Sequence, residues 1–205
     1  SMEQGNTAKA LELARIAQKK HKKQKWVIRT VYGLELAEQQ WDEALKTLKN
    51  IEKLHALEAS IIKSDRLALL THMAQLALQD GQTTKAVKLL RAALRIDPCF
   101  IPAVLILTEQ HLLDKRKQAA QRLIAKCWKS VPHPALVPLW ETLAPENKPK
   151  DPAVRLRWAE KLIKMNPDHV ESYLAVARTA IHDRLWGEAR QFLKEAEAIC
   201  LDHQI

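Results

Sequence analysis

A short sequence pattern returns along this chain at a nearly constant interval. Three stretches look alike, each following a polar turn: Trp41–Leu45, Thr84–Val87 and Trp186–Arg190. The equivalent positions lie 34, 42, 34, 35 and 34 residues apart, at Ala10, Ala44, Ala86, Ala120, Arg155 and Ala189. A second marker keeps the same phase, because a proline stands 12 residues after three of these positions, at Pro98, Pro132 and Pro167. Proline ends a helix, so the period predicts a repeated helix-turn-helix unit.

The composition favours helices throughout. Ala, Leu, Lys, Glu, Gln and Arg dominate, the chain has only 4 glycines, and strand-like alternation between turn signals is missing. At 47% hydrophobic and 28% charged residues, the chain has the balance of a globular protein with a sizeable core. The longest apolar stretch, near Phe100–Thr108, is too short to span a membrane. The fold class predicted is therefore all-α.

The unit resembles the tetratricopeptide repeat. Leu67–Phe100 matches that pattern best, with small residues where the two helices cross and larger apolar residues between them. The resemblance implies hairpins stacked in a right-handed superhelix, since each pair must cover its apolar stripes with a neighbour. We expect one repeat domain over residues 1–205 with about five hairpin units, of which the first is truncated because the pattern starts mid-repeat at Asn6.

Two irregularities interrupt the period. The step of 42 residues places about eight extra residues between Ile51 and Leu67, which predicts lengthened helices around Leu54–Ile62. The unit before Arg155 has a short, proline-crowded first helix, predicted over Ala135–Leu143, and a polar loop follows it at Pro145–Pro152.

Finer features resemble the HemY family of bacterial haem-biosynthesis proteins. The stretches that carry this resemblance are Asn6–Ala17, Gln40–Leu45, Trp158–Asn166 and Leu185–Arg190. It implies a fragment of a longer protein, held at the bacterial inner membrane by an upstream anchor, that acts as a scaffold for enzymes of late protohaem synthesis. Three widely spaced cysteines suggest a reducing compartment, so the repeat domain is expected in the cytoplasm. The alternative is a soluble adaptor or chaperone that binds peptide segments of unrelated clients.

Signals of catalysis or of a cofactor are weak. The sequence has no nucleophile elbow, zinc-protease motif, Walker loop or dinucleotide fingerprint, so we predict a protein that is not an enzyme and holds no cofactor. His182 and Asp183 match a metal phosphohydrolase dyad in letters, but further ligands at suitable spacing are missing, so no metal site is predicted. His72 and His111 are the histidines placed best to face a groove as haem ligands, although partly exposed surface positions are commoner for such residues.

The expected function is protein binding by the first helices of the repeats. Polar positions predicted to face the groove are Thr71, Gln75, Gln79, Glu109, Arg178 and His182. Arg178 is the strongest of these candidates, because a guanidinium suits a carboxylate partner. The six tryptophans are interpreted as packing residues within and between repeats rather than as a stacking platform for a ligand.

A basic cluster lies near the start of the chain. It contains Lys19, Lys20, Lys22, Lys23 and Lys25, within a chain of net charge +9. It is predicted either to complement the carbonyls at a helix C-terminus or to contact an anionic membrane surface. Aromatic residues are not interleaved through it, so a nucleic-acid partner is not predicted.

Overall fold

The computed structural model describes residues 2–145 and 151–202, and these residues form helices and turns without a strand. The helices are α1 (Met2–Lys20), α2 (Lys25–Ala37), α3 (Trp41–Lys53), α4 (Ala59–Gln79), α5 (Thr83–Ile96), α6 (Ile101–Leu113), α7 (Lys117–Trp128), α8 (Val137–Glu141), α9 (Pro152–Met165), α10 (Val170–His182) and α11 (Trp186–Asp202), with a 3₁₀ turn at Pro134–Leu136. The prediction of an all-α fold of tetratricopeptide-type hairpins is confirmed. Over the described ranges, no helix is both long and apolar enough to cross a membrane.

The chain divides into two compact units, Ser1–Asp97 and Pro98–Ile205. In the first unit, α2 pairs with α3 and α4 pairs with α5, while α1 packs against α2. The repeat positions Ala44 and Ala86 are completely buried on the second helix of each hairpin. A small side chain lets the two helices approach closely at this point, which is the physical reason for the period.

The extra residues of the long repeat step lengthen one helix. α4 has 21 residues, whereas α2 and α6 have 13 each. When the repeat period aligns the C-terminal ends of these helices, the additional segment is 59–66, at the N-terminal end of α4. The sequence prediction is therefore confirmed for α4, but residues 54–58 form a turn and α3 is not lengthened.

Among its described residues, the second unit contains three hairpins of unequal regularity. α6 pairs with α7 and α10 pairs with α11, while the 3₁₀ turn and the five-residue α8 stand in place of the first helix that should precede α9. Ala120 and Ala189 occupy the repeat position and are buried. The short, proline-crowded first helix predicted over Ala135–Leu143 is observed as the 3₁₀ turn followed by α8. Of the polar loop that follows it, residues 146–150 lie outside the described part of the chain.

A reciprocal tryptophan pair compensates for the short length of α8. The rings of Trp140 and Trp158 are stacked with centroids 4.8 Å apart and planes 16° from parallel. The indole N–H of Trp140 donates to the carbonyl of Trp158 at 3.1 Å, and that of Trp158 donates to the carbonyl of Trp140 at 2.8 Å. Lys161 Nζ lies 4.0 Å from the centroid of the Trp158 ring. These contacts attach α8 to α9 through buried aromatic surface and satisfied donors.

Arg155 departs from the small residue that the repeat position normally carries, and the structure gives the reason. Its guanidinium reaches Asp183 Oδ1 at 3.1 Å and lies 3.1 Å from His182 Nδ1, so it bridges α9 to the turn after α10. The Asp183 side chain is only 6% exposed. A buried carboxylate is costly without a partner of opposite charge, and Arg155 provides that partner. At this repeat position an ion pair therefore takes the place of the small residue that lets two helices pack closely. We call the contacts of Arg155 with Asp183 and His182 the Arg155 clamp.

The packing interpretation of the tryptophans holds for four of the six. Trp128, Trp140 and Trp158 are buried, and Trp41 packs against the apolar cluster of the first unit. For Trp26 and Trp186 the interpretation is wrong, because they are 60% and 63% exposed. Both lie in the first turn of a helix, Trp26 in α2 and Trp186 in α11.

Candidate partner-binding site

A pocket of about 270 Å³ lies within the first unit, between the first helices of two consecutive hairpins. It is lined by Tyr32, Leu36, Trp41, Asp65, Ala68, Leu69 and His72. Two of these residues come from α2, one begins α3, and four come from α4. The position is the one where tetratricopeptide-type hairpins present their first helices, so we call it the inner pocket.

An aromatic contact forms one side of the inner pocket. The Trp41 and His72 rings meet edge to face, with centroids 4.6 Å apart and planes 77° from parallel. Trp41 starts α3 and His72 lies in the middle of α4, so the contact links two hairpins. Both side chains are half-buried, which leaves part of each ring available to a partner.

A hydrogen bond forms the polar side of the inner pocket. The Tyr32 hydroxyl donates to Asp65 Oδ2 at 3.0 Å. Burial raises the pKa of the Tyr32 phenol above its ordinary value, and the negative charge and the hydrogen bond of Asp65 raise that pKa further. Asp65 belongs to segment 59–66, the additional part of α4, so the irregular repeat step supplies the carboxylate of the pocket. The phenol is therefore a neutral donor at physiological pH.

The raised pKa predicts how Tyr32 titrates. In alkaline solution we expect Tyr32 to ionise above about pH 10, the ordinary tyrosine value. Since the folded pKa exceeds the unfolded one, the contribution of this group to stability is complete below about pH 10 and falls as pH rises towards the folded pKa. Tyrosinate absorbance should be titrated in the wild type and in Tyr32→Phe, which keeps Tyr173 as its only tyrosine; the difference isolates Tyr32. Ionisation of Tyr32 at or below pH 10 would contradict the assignment.

The chemistry of the inner pocket suits recognition rather than catalysis. Leu36, Ala68 and Leu69 give it an apolar wall, and Asp65 is its one carboxylate. Asp65 forms no ion pair among the described residues, so it can accept from a cation or an N–H of a partner. A volume of this size admits one side chain of a peptide or helix. Within residues 2–145 and 151–202, no group of three metal-ligating side chains is assembled.

The six groove residues expected from the sequence divide between the two units. Thr71, Gln75 and Gln79 lie on α4, Glu109 lies on α6, and Arg178 and His182 lie on α10. All except Thr71 are exposed; Thr71 is only 6% exposed, which leaves its hydroxyl out of reach of a partner.

Two of the six have partners of their own in the second unit. Arg178 is half-exposed and pairs with Glu171 on the same helix, so a carboxylate ligand would have to compete with that contact. His182 lies 2.9 Å from Asp183 and belongs to the Arg155 clamp. The role of these five exposed residues in partner binding stays a prediction.

The basic cluster lies where the sequence placed it, at the end of α1 and the start of α2. Lys19 and Lys20 are in the last turn of α1, Lys22 and Lys23 are in the following turn, and Lys25 begins α2. All five are exposed, and none forms an ion pair within the described part of the chain. Contact with an anionic surface remains a prediction.

Sequence reasoning singled out only two of the seven residues that line the inner pocket. It identified His72 as a residue that could face a groove and Trp41 as a packing residue, but it did not select Tyr32, Asp65 or Ala68. The signal that could have indicated Asp65 was the 42-residue step. Additional helical turns beside a groove add side chains to the lining of that groove.

Comparisons with known proteins give no family for this chain. No family model matches the chain. A stretch of 122 residues is 29% identical to the probable magnetosome protein Mms48 of Magnetospirillum gryphiswaldense, covering 60% of this chain and 26% of that protein. The chain thus spans about a quarter of the length of this curated relative.

Two solved structures are similar at low identity. The C-terminal part of a TPR repeat-containing protein from Cytophaga hutchinsonii is 16% identical, with a TM-score of 0.40 over 97% of this chain and 76% of that one. The MamA protein is 15% identical, with a TM-score of 0.37 over 85% of this chain and 91% of that one. At such scores the assignment of the fold depends on the hairpins and the buried repeat positions described above.

Proposed function

We propose that this chain is a non-catalytic scaffold that binds partner proteins through its first helices, with the inner pocket as one anchoring point. The observation that carries the proposal is the inner pocket itself, an apolar slot with a neutral donor, Tyr32, and a carboxylate, Asp65. Interfaces derive most of their binding energy from a few anchor side chains seated in such pockets. An exposed helix face without a pocket would not provide this.

The choice of partner is a finer proposal. The stretches that resemble the HemY family support a scaffold for enzymes of late haem synthesis, attached to the bacterial inner membrane by an upstream anchor, with the repeat domain in the cytoplasm. The basic cluster, which forms no ion pair among the residues that the structure describes, supports contact with anionic lipid on the same side.

The alternative function is an adaptor for clients outside haem metabolism. The stretch shared with Mms48 favours it, since that relative is named for the magnetosome rather than for haem synthesis. Both candidates use the same binding surface and differ in what occupies it.

The test is affinity capture from solubilised membranes of the organism that carries the chain. Ala68 is exposed and lines the inner pocket, so Ala68→Trp fills the pocket with an indole ring and leaves the buried residues of the core unchanged. We expect Ala68→Trp to lower recovery of the specific partner about tenfold or more, the loss typical of an obstructed anchor. Ala59→Trp is the matched control, because Ala59 is also exposed on α4 and does not line the pocket.

The identity of the proteins lost with Ala68→Trp decides between the functions. Ferrochelatase and neighbouring haem enzymes would support the haem scaffold, and unrelated clients would support the adaptor. If Ala68→Trp and Ala59→Trp recover the same proteins in equal amounts, the inner pocket is not the anchor.

A further inference from the structure

A second cavity, of about 410 Å³, lies in the first unit where the ends of three helices meet. Its lining residues are Gln18, Lys19, Lys22, Ile28, Asn50, Lys53 and Leu54. They come from the last turn of α1, the turn that follows it, the first turn of α2 and the end of α3. The volume falls in the range of small-molecule sites, and we call it the basic cavity.

The charge of the basic cavity is one-sided. Lys19, Lys22 and Lys53 line it, and its lining includes no acidic side chain. None of the three forms an ion pair within the described residues. The sequence has no Asp or Glu from Leu13 to Leu34, so the neighbourhood of α1 and α2 does not neutralise these charges either. Three ammonium groups gathered without a counter-charge repel one another, and an anion would relieve that repulsion.

A structural role at a helix end accounts poorly for Lys53. Lysines at a helix C-terminus often complement carbonyls that lack a partner. At the end of α3, however, the carbonyls of Asn50, Ile51 and Glu52 already accept the backbone N–H groups of Leu54, Ala56 and His55, at 3.0–3.1 Å. Lys53 is therefore not needed to satisfy them.

The remaining lining indicates what kind of anion fits. Ile28 is 2% exposed and Leu54 is half-buried, so the cavity has an apolar floor. Gln18 and Asn50 add amide groups that can donate to oxygen. Ammonium groups act as point charges that bind phosphate without the planar geometry a guanidinium imposes on a carboxylate.

We propose that the basic cavity binds a phosphomonoester attached to an apolar group, with the phosphate between Lys19, Lys22 and Lys53 and the apolar part on Ile28 and Leu54. Such a ligand is either the head of a lipid in a bilayer or a soluble alkyl phosphate. This binding site is separate from the inner pocket and does not depend on it. It shares Lys19 and Lys22 with the proposed membrane contact, but it requires Lys53, which lies outside the basic cluster.

The experiment measures binding of the complete chain to two probes. One is hexyl phosphate in solution, compared with inorganic phosphate; the other is phosphatidylcholine vesicles with and without phosphatidic acid. The probe that the unmodified chain binds should bind about tenfold more weakly to Lys53→Glu, since this substitution reverses a charge inside the cavity. Lys9→Glu is the control, because it makes the same change of net charge at an exposed residue of α1 that lies outside the basic cluster and does not line the cavity. It should change binding by less than about twofold at physiological salt.

The outcomes separate the source of the ligand from the existence of the site. Hexyl phosphate binding tighter than inorganic phosphate, with loss in Lys53→Glu, supports a soluble ligand; the same loss with phosphatidic acid vesicles alone supports a lipid. Equal losses in Lys53→Glu and Lys9→Glu would indicate only diffuse attraction to a basic surface and overturn the proposal, as would the absence of binding to both probes. Lys53 and Lys9 are exposed, so both variants should fold, which circular dichroism checks.

Discussion

Replacing Trp140 with alanine is expected to lower the free energy of unfolding by about 3–5 kcal/mol, the usual cost of removing a buried tryptophan. Trp140 is 1% exposed, stacks on Trp158 and exchanges two hydrogen bonds with it. The substitution leaves a cavity and removes the indole N–H that donates to the Trp158 carbonyl, whereas the backbone carbonyl of residue 140 stays in place. The cavity and the lost hydrogen bond act in the same direction. Because α8 has only five residues, it has little else to hold it against α9.

Urea unfolding measures the loss, and hydrogen exchange assigns it to a region. A lower midpoint at an unchanged slope reports stability, and protection should fall first in residues 134–145 and 151–165. Trp186→Ala is the matched control, since Trp186 is 63% exposed in the same unit and should shift stability by no more than about 0.5 kcal/mol. Similar losses in the two variants would mean that the Trp140–Trp158 stack is not a principal contact of the second unit.

Leu48→Ala should destabilise the first unit by about 2–5 kcal/mol. Leu48 is completely buried on α3, in a cluster with Ile28, Ile51 and Ile62 that joins α2, α3 and α4. Truncation removes three carbons from this cluster and leaves a cavity that rigid helices cannot close. The inner pocket lies beside the same cluster, since Leu69 and Tyr32 belong to both.

Leu13→Ala provides the comparison within the same unit. Leu13 is 68% exposed on α1, so the identical substitution should change the unfolding free energy by about 0.5 kcal/mol or less. Chemical denaturation of both variants under one set of conditions gives the difference directly. A Leu13→Ala loss as large as that of Leu48→Ala would show that the α1 face is covered in solution.

The inner pocket could be predicted in outline but not in detail. The period placed α2 and α4 as first helices, and therefore as candidate binding elements. It did not select Tyr32 or Asp65, because their hydrogen bond joins residues that are 33 positions apart in the sequence and lie on two different helices. Thr71 shows the opposite error. The repeat pattern predicted that its polar side chain faces the groove, but the side chain is buried because α4 packs closely there.

The sequence by itself determined the helical hairpins and their close crossing points. Ala44, Ala86, Ala120 and Ala189 recur because only a small side chain fits where two helices touch, so the period reports packing directly. It also placed the eight extra residues, which lengthen α4.

Tertiary structure alone decided which members of a residue type are buried. Trp140 and Trp186, or Leu48 and Leu13, have the same intrinsic hydrophobicity and differ only in the elements that cover them. Burial depends on neighbours distant in the sequence, and a local periodicity does not contain that information.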